Sequence, residues 1–238
     1  MSSISQERSD RKTKLAATLR VFAGLGYEYG HYGHLTVRDP GDEERYWVNP
    51  LAVAFGRTSV SDLVLVDAEG TVLDGNAQIG GFVGQHEIHR ARPDAVAVFH
   101  VHSPYAQIWA SRPRPFEPLN TDSAVIDSVQ AVHDPLDSAN WIEGVAPTRA
   151  QSLGPHAKIL IQRGHGVVTL GRSVEEAAFL HIAAERAAHA NLTLAATGGG
   201  ERLPDDIRDR WQITAEKAER HYRPYLQQVL HDQPELLA

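Results

Sequence analysis

The chain has 238 residues, of which 42% are apolar and 22% are charged, and it carries a net charge of −7 and no cysteine. The lack of cysteine excludes disulfides, thiolate metal sites and cysteine nucleophiles, and the negative charge without a basic cluster predicts that nucleic acid is not a partner. No apolar run is long enough to cross a membrane and no secretory signal is recognisable, so we predict a cytoplasmic protein without a membrane partner.

The first part of the chain predicts one helix followed by short strands. Residues 1–11 are predicted to be a flexible tail, and residues 12–238 a single domain. Apolar residues at helical spacing predict a helix over 12–25. Short strand-like runs follow at 35–38, 45–49 and 63–67. The last of these runs and the next strand-like run, at 71–75, are typical of a hairpin.

The middle of the chain contains the most apolar strand. A short helix is predicted over 84–92, where a proline follows it. Residues 95–102 form an almost unbroken apolar run, which is typical of a central strand covered on both faces. The region 103–157 gives no clear assignment. Two further strands are predicted at 158–162 and 167–170.

The last part of the chain is predicted to be helical. A capping box starts a long Ala-rich helix that ends near Ala196. The final helix is predicted to begin near Pro204 and to be broken at Pro224. Helices on both sides of about seven strands predict an α/β domain with a mixed central sheet.

Two of the 13 histidines lie two residues apart in the predicted central strand. Because strand side chains alternate, His100 and His102 should point to the same face, roughly 7 Å apart, which suits two ligands of one metal ion. His165, between two glycines in a later turn, could supply a third ligand and leave a position open for substrate. Taken singly, His100 and His102 are also compatible with polar residues at a strand end, and His165 with a hairpin-turn residue that has no partner.

Five short motifs in order make the pattern more specific. They are GHLTVR at 33–38, SDLV at 61–64, IHRARPD at 88–94, HVHS at 100–103 and GHG at 164–166. Together they resemble the class II aldolase/adducin family over residues 12–196. The resemblance implies a three-layer α/β/α fold with a mixed central β-sheet and a homotetramer with active sites at subunit interfaces. It also implies a divalent metal, zinc in preference to manganese, cobalt or iron, at the positions of His100, His102 and His165.

The sequence departs from this family where its sugar-phosphate aldolases carry a Ser-Ser-Glu tripeptide, whose glutamate is the acid/base. Those positions are occupied here by Ile79, Gly80 and Gly81. The family's Gly-Asn phosphate loop has His34 in place of the asparagine. These departures argue against a sugar-phosphate substrate. The alternative is a register shift of six residues, which would place Glu87 at the position of the base.

The chemistry that remains favours decarboxylation. A divalent ion on three histidines stabilises negative charge on an enolate or phenolate oxygen, and loss of carbon dioxide requires no removal of a hydroxyl proton. We therefore predict a metal-dependent lyase, a carboxy-lyase rather than an aldehyde-lyase. Its substrate would be a small non-phosphorylated oxygenated acid, such as a hydroxylated aromatic carboxylate in aromatic catabolism. The alternatives are an aldolase for a non-phosphorylated hydroxy-oxo acid, a three-His mononuclear iron oxygenase and a non-catalytic adducin-like protein.

Other site residues are predicted from their chemistry and position. Three are candidates for proton transfer: His34, Glu87 and, reaching a neighbouring subunit's site as the family resemblance suggests, Tyr225. Three are candidates for contacting the small-molecule carboxylic acid substrate: Arg38, Ser103 and Tyr105. Plainer interpretations are a solvent-facing loop for His34, a solvated helix face for Glu87 and core packing for Tyr105.

Overall fold

Eight strands form one sheet in the computed structural model, which describes residues 3–135 and 147–238. They are β1 His34–Asp39, β2 Asp42–Val48, β3 Val64–Val66, β4 Val72–Asp74, β5 Ala97–Val101, β6 Gln130–His133, β7 Ile159–Gln162 and β8 Gly166–Gly171. Their spatial order is β4-β3-β2-β1-β5-β8-β7-β6. Only β6 and β7 pair in parallel, so the sheet is mixed, and β6 lies in the region that the sequence left unassigned.

Helices cover both faces of the sheet. They are α1 Ile4–Gly24, α2 Phe82–Ala91, α3 Pro104–Trp109, α4 Thr121–Ala124, α5 Arg149–Leu153, α6 Val174–Ala196, α7 Asp205–Trp211 and α8 Ala215–Asp232. Helices α1, α6 and α8 pack together on one face, and α2 and α5 on the other. This arrangement confirms the predicted α/β/α layers. In the described part of the chain, every helix is too short or too polar to cross a membrane.

Strand β5 divides its side chains between two cores because alternate residues face opposite sides. Phe99 packs on Phe22 of α1 in one core, and Val98 joins Ile88 of α2 in the other. The strand is buried throughout, as its apolar run predicts. His100 shares the face of Val98, so its imidazole lies on the side of α2.

Helix α1 starts inside the predicted tail, and residues 4–11 are helical. The side chain of Ser3 caps the first turn. Arg8 donates two hydrogen bonds, of 2.6 and 2.8 Å, to the carboxylate of Asp39. The polar residues of the predicted tail therefore belong to a helix, and the charged face of that helix forms an ion pair with β1.

The C-terminal helix also differs from the prediction. It is two helices, because α7 ends at Trp211 and Thr214 caps the start of α8. Helix α8 then continues through Pro224. Its buried face holds Tyr222, whose hydroxyl donates to Thr18 Oγ1 at 3.0 Å. Packing on α1 and α6 offsets the backbone hydrogen bond that a proline removes.

Two buried core histidines predict that the fold weakens in acid. Burial lowers the pKa of His89 and of His181 to about 3, whereas an unfolded histidine titrates near 6.5. Between these pH values the unfolded chain binds more protons than the folded chain. The contribution of the two neutral histidines to the free energy of unfolding is therefore fully present above about pH 6.5 and is lost as pH falls towards about 3. We expect urea unfolding at pH 7 and pH 5 to show this loss, with a slope of up to about 1.4 kcal/mol per pH unit for each histidine. The His89→Gln variant should show a shallower slope, and an unchanged slope would contradict this account.

Candidate active site

Three histidine side chains converge where β5 meets the turn between β7 and β8. His100 is the last but one residue of β5, His102 follows the strand directly, and His165 lies in the turn between β7 and β8. One nitrogen of each ring lies within 4.8 Å of the others, the only such metal-type cluster in the described residues. The ring centroids are 4.6 to 5.3 Å apart. The two motifs meet because β5 pairs directly with β8, with His100 opposite Val168.

The hydrogen bonding of His100 leaves one nitrogen free for a ligand. Its Nδ1 donates to the carbonyl of Val167 at 2.8 Å, while its Nε2 is buried and has no partner among the described residues. Burial lowers the pKa of His100 well below its usual value, and it also lowers the pKa of His102 and His165. Neutral imidazole is the form that binds metal. A buried nitrogen without a partner is costly, so these residues fit a divalent ion such as zinc, which three imidazoles can hold with a position left open.

His34 lies beside this triad and fills the space that a side chain at Gly81 would need. It is the first residue of β1 and stands opposite His100 in the antiparallel pair, with ring centroids 6.4 Å apart. A methyl group added at Gly81 would lie 2.0 Å from Cδ2 and 2.1 Å from Nε2 of His34. Gly81 also has φ of +61°, a conformation that favours glycine. An imidazole at 34 and a side chain at 81 therefore exclude each other.

The electrostatics of His34 keep it uncharged. Burial, reinforced by the nearby His102 and His165, lowers the pKa of His34 to about 4. Neither of its ring nitrogens is hydrogen-bonded to another described residue. At neutral pH the ring therefore offers one donor and one acceptor to whatever binds beside it.

A cavity of about 260 Å³ opens beside the histidines. His34, His100 and His165 line one part of it, and apolar groups such as Phe82 line another. Arg149 is its only permanently charged side chain among the described lining residues, which include no carboxylate. Sequence reasoning missed Arg149 because it lies in the unassigned region. The available signal was the capping pair Thr148 and Gln151, which marks the start of α5.

The structure does not bring Glu87 or Arg38 into this cavity. The carboxylate of Glu87 accepts a hydrogen bond from the backbone N–H of Ala150 at 3.0 Å, so it holds the start of α5. The guanidinium of Arg38 donates to the carbonyls of Glu43 and His89, both at 2.7 Å. Tertiary contacts, invisible in the local sequence, give both residues structural tasks.

The other three predicted residues also lie outside the cavity lining in this chain. Ser103 is fully buried, with its Oγ 3.2 Å from Nε2 of His181. Tyr105 stacks on His189, with ring centroids 4.0 Å apart. Tyr225 lines a separate cavity of about 450 Å³ among α4, α6, α7 and α8. Its reach into a neighbouring subunit's site stays a prediction.

Comparison with known proteins places this geometry in a family. Residues 13–192 match the family described as Class II Aldolase and Adducin N-terminal domain. A 4-hydroxy-3-prenylphenylpyruvate oxygenase/4-hydroxy-3-prenylbenzoate synthase of Streptomyces roseochromogenus subsp. oscitans is 32% identical over 244 residues, covering 98% of this chain and 87% of that protein. Decarboxylase NovR of Streptomyces niveus is 32% identical over 207 residues, covering 85% of this chain and 76% of NovR.

A solved structure gives the same result. The L-fuculose 1-phosphate aldolase from Glaciozyma antarctica PI12 superimposes with a TM-score of 0.90 at 30% identity, covering 99% of this chain and 94% of the aldolase chain. Sequence and fold agree over nearly the whole length. The chain therefore belongs to the class II aldolase and adducin family.

Proposed function

We propose that this protein is a divalent metal-dependent carbon–carbon lyase that decarboxylates a small, non-phosphorylated, oxygenated acid, with hydroxylated aromatic carboxylates as the leading class. The observation that carries this proposal is the exclusion between His34 and any side chain at Gly81. It leaves the cavity without the glutamate that serves the family's sugar-phosphate aldolases. The names of two relatives, a decarboxylase and a prenylbenzoate synthase, support an acid of this kind.

The metal would be held by His100, His102 and His165, with zinc favoured over manganese, cobalt and iron. When bound there, a divalent ion supplies a Lewis acid that withdraws electron density from a substrate oxygen next to the breaking bond. The Nδ1 hydrogen bond of His100 to Val167 fixes the ring and directs Nε2 into the site.

His34 is the residue that delivers a proton to the substrate carbon in this proposal. Decarboxylation exchanges a carboxylate for a hydrogen, so one proton must reach the carbon after carbon dioxide leaves. A neutral imidazole can accept a proton at one nitrogen and release the other, which suits a relay from solvent. Removal of a hydroxyl proton, as in aldol cleavage, requires a base that is effective near pH 7, and a histidine with a pKa of about 4 is poorly suited to that step.

Two other reactions have specific support. The likeness to a fuculose phosphate aldolase favours aldol cleavage, here of a non-phosphorylated hydroxy-oxo acid. The relative whose name includes an oxygenase favours iron chemistry, and three histidines suit iron as well as zinc. The assembly as a homotetramer with sites at subunit interfaces stays a prediction in each case.

A substrate panel separates these reactions. Protein loaded with zinc, manganese, cobalt or ferrous iron is expected to release carbon dioxide from at least one hydroxylated benzoate or phthalate, and chelation of the metal should abolish the release. Fuculose and ribulose phosphates should not be cleaved, because the cavity lacks the family's acid/base. Oxygen consumption in step with product would defeat the lyase, and efficient cleavage of a sugar phosphate would defeat the non-phosphorylated substrate.

A further inference from the structure

A single hydrogen bond to a described residue holds Arg149 in the cavity and leaves the fork of its guanidinium, the two terminal nitrogens, open. Arg149 is the first residue of α5, and its Nε donates to Gln162 Oε1 at 2.6 Å. Its two terminal nitrogens make no hydrogen bond or ion pair to another described residue. A methyl group added at Gly84 would lie 2.9 Å from Nη1 of Arg149, so the guanidinium lies directly over Gly84 and a side chain there would displace it.

The surrounding electrostatics favour an anion in front of this fork. The described lining residues include no carboxylate that could neutralise Arg149. A planar guanidinium with both terminal nitrogens free matches a carboxylate through two parallel hydrogen bonds.

We propose that Arg149 binds a carboxylate that the substrate keeps, so that the preferred substrate carries a second carboxylate besides the reacting one. During decarboxylation the negative charge leaves the departing group. An arginine paired with that group would stabilise the reactant more than the transition state. A retained carboxylate keeps its charge throughout, so gripping it orients the acid at no such cost. This inference deepens the proposed function and rests on it only in taking the cavity beside the histidines as the substrate site.

The first test measures binding without turnover. Calorimetry on zinc-loaded protein compares phthalate and isophthalate with benzoate for the wild type, Arg149→Gln and Arg149→Lys. At least one dicarboxylate should bind the wild type more tightly than benzoate does. Arg149→Gln should weaken that dicarboxylate about 10- to 100-fold and remove its advantage over benzoate, with Arg149→Lys in between. The matched control is Arg90→Gln on α2, an exposed arginine, and it should bind as the wild type does.

A second variant, Gly84→Ala, tests the same contact if Arg149→Gln fails to fold. Gly84→Ala keeps the charge of Arg149 but displaces its fork, so it should also reduce the preference for the dicarboxylate. Unchanged binding in Arg149→Gln, or equal weakening of dicarboxylate and benzoate, would overturn the proposal.

Turnover separates this inference from the proposed function. With an acid that the wild type decarboxylates, Arg149→Gln should raise KM and leave kcat within a few-fold. A fall in kcat at unchanged KM would overturn the role of Arg149 while the decarboxylase stands. If Arg149→Gln loses dicarboxylate binding but the wild type releases carbon dioxide from no acid, the binding role of Arg149 stands and the proposed function fails.

Discussion

Replacing His100 with alanine is expected to remove the bound divalent ion and to lower kcat/KM by at least about a thousandfold. The ion contributes several kcal/mol to stabilising charge that develops on the substrate, and each 1.36 kcal/mol corresponds to a tenfold change in rate. Loss of one of three ligands leaves a pair of histidines that holds the ion only weakly. Metal content by emission spectrometry and kcat/KM on the same preparation check both parts of this expectation.

The variants differ in how far they disturb the fold. His100 is buried, whereas His165 lies exposed in its turn, so His165→Ala should lose metal and activity with little change in stability. The control is His156→Ala, which removes an exposed histidine on the approach to β7 and should keep both metal and turnover. Full metal content together with full activity in His100→Ala or His165→Ala would contradict the triad.

Replacing Gly81 with alanine is expected to destabilise the fold by about 2–5 kcal/mol. About 1–2 kcal/mol comes from placing a side chain at a φ of +61°. The remaining ~1–3 kcal/mol comes from forcing the new methyl group into the ring of His34, which would lie 2.0 Å away. Urea unfolding measures the sum.

A double-mutant cycle isolates the contact. In the His34→Ala background, Gly81→Ala should retain only its backbone cost, so the two changes should couple by about 1–3 kcal/mol. Gly30→Ala supplies the control, because Gly30 has φ of +58° and nothing within 4 Å of an added methyl group. It should therefore show the backbone cost alone. Additive effects of the changes at 34 and 81 would remove the exclusion on which the proposed function rests.

The parts of the fold that sequence predicted are those with a strong local pattern. An almost unbroken apolar run predicts the buried strand β5, and the N-cap residue Ser173 with the alanine-rich sequence after it predicts α6. Residues 4–11 and Pro224 were predicted wrongly for a common reason. In both places local composition opposed a helix, and contacts with distant elements favoured one.

The site was predictable to the extent that its chemistry lies in short motifs. The spacing of His100 and His102 and the glycines around His165 suggested a metal site, and the family resemblance made that set of histidines specific. The structure brings the three side chains together. Arg149 was missed, because α5 is a five-residue helix with no periodicity to detect and its local signal is limited to the capping pair Thr148 and Gln151. Glu87 was a candidate for proton transfer because of its chemistry and position. The hydrogen bond by which it holds the start of α5 is visible only in three dimensions.

X-ray absorption at the metal edge of the zinc-loaded protein tests the central claim most directly. We predict three imidazole nitrogens at about 2.0–2.1 Å from zinc, completed by oxygen, and at most two imidazoles around any zinc that His165→Ala still holds when zinc is supplied in excess. A coordination shell made only of oxygen, or one that keeps three imidazoles in that variant, would contradict a metal centre built from His100, His102 and His165.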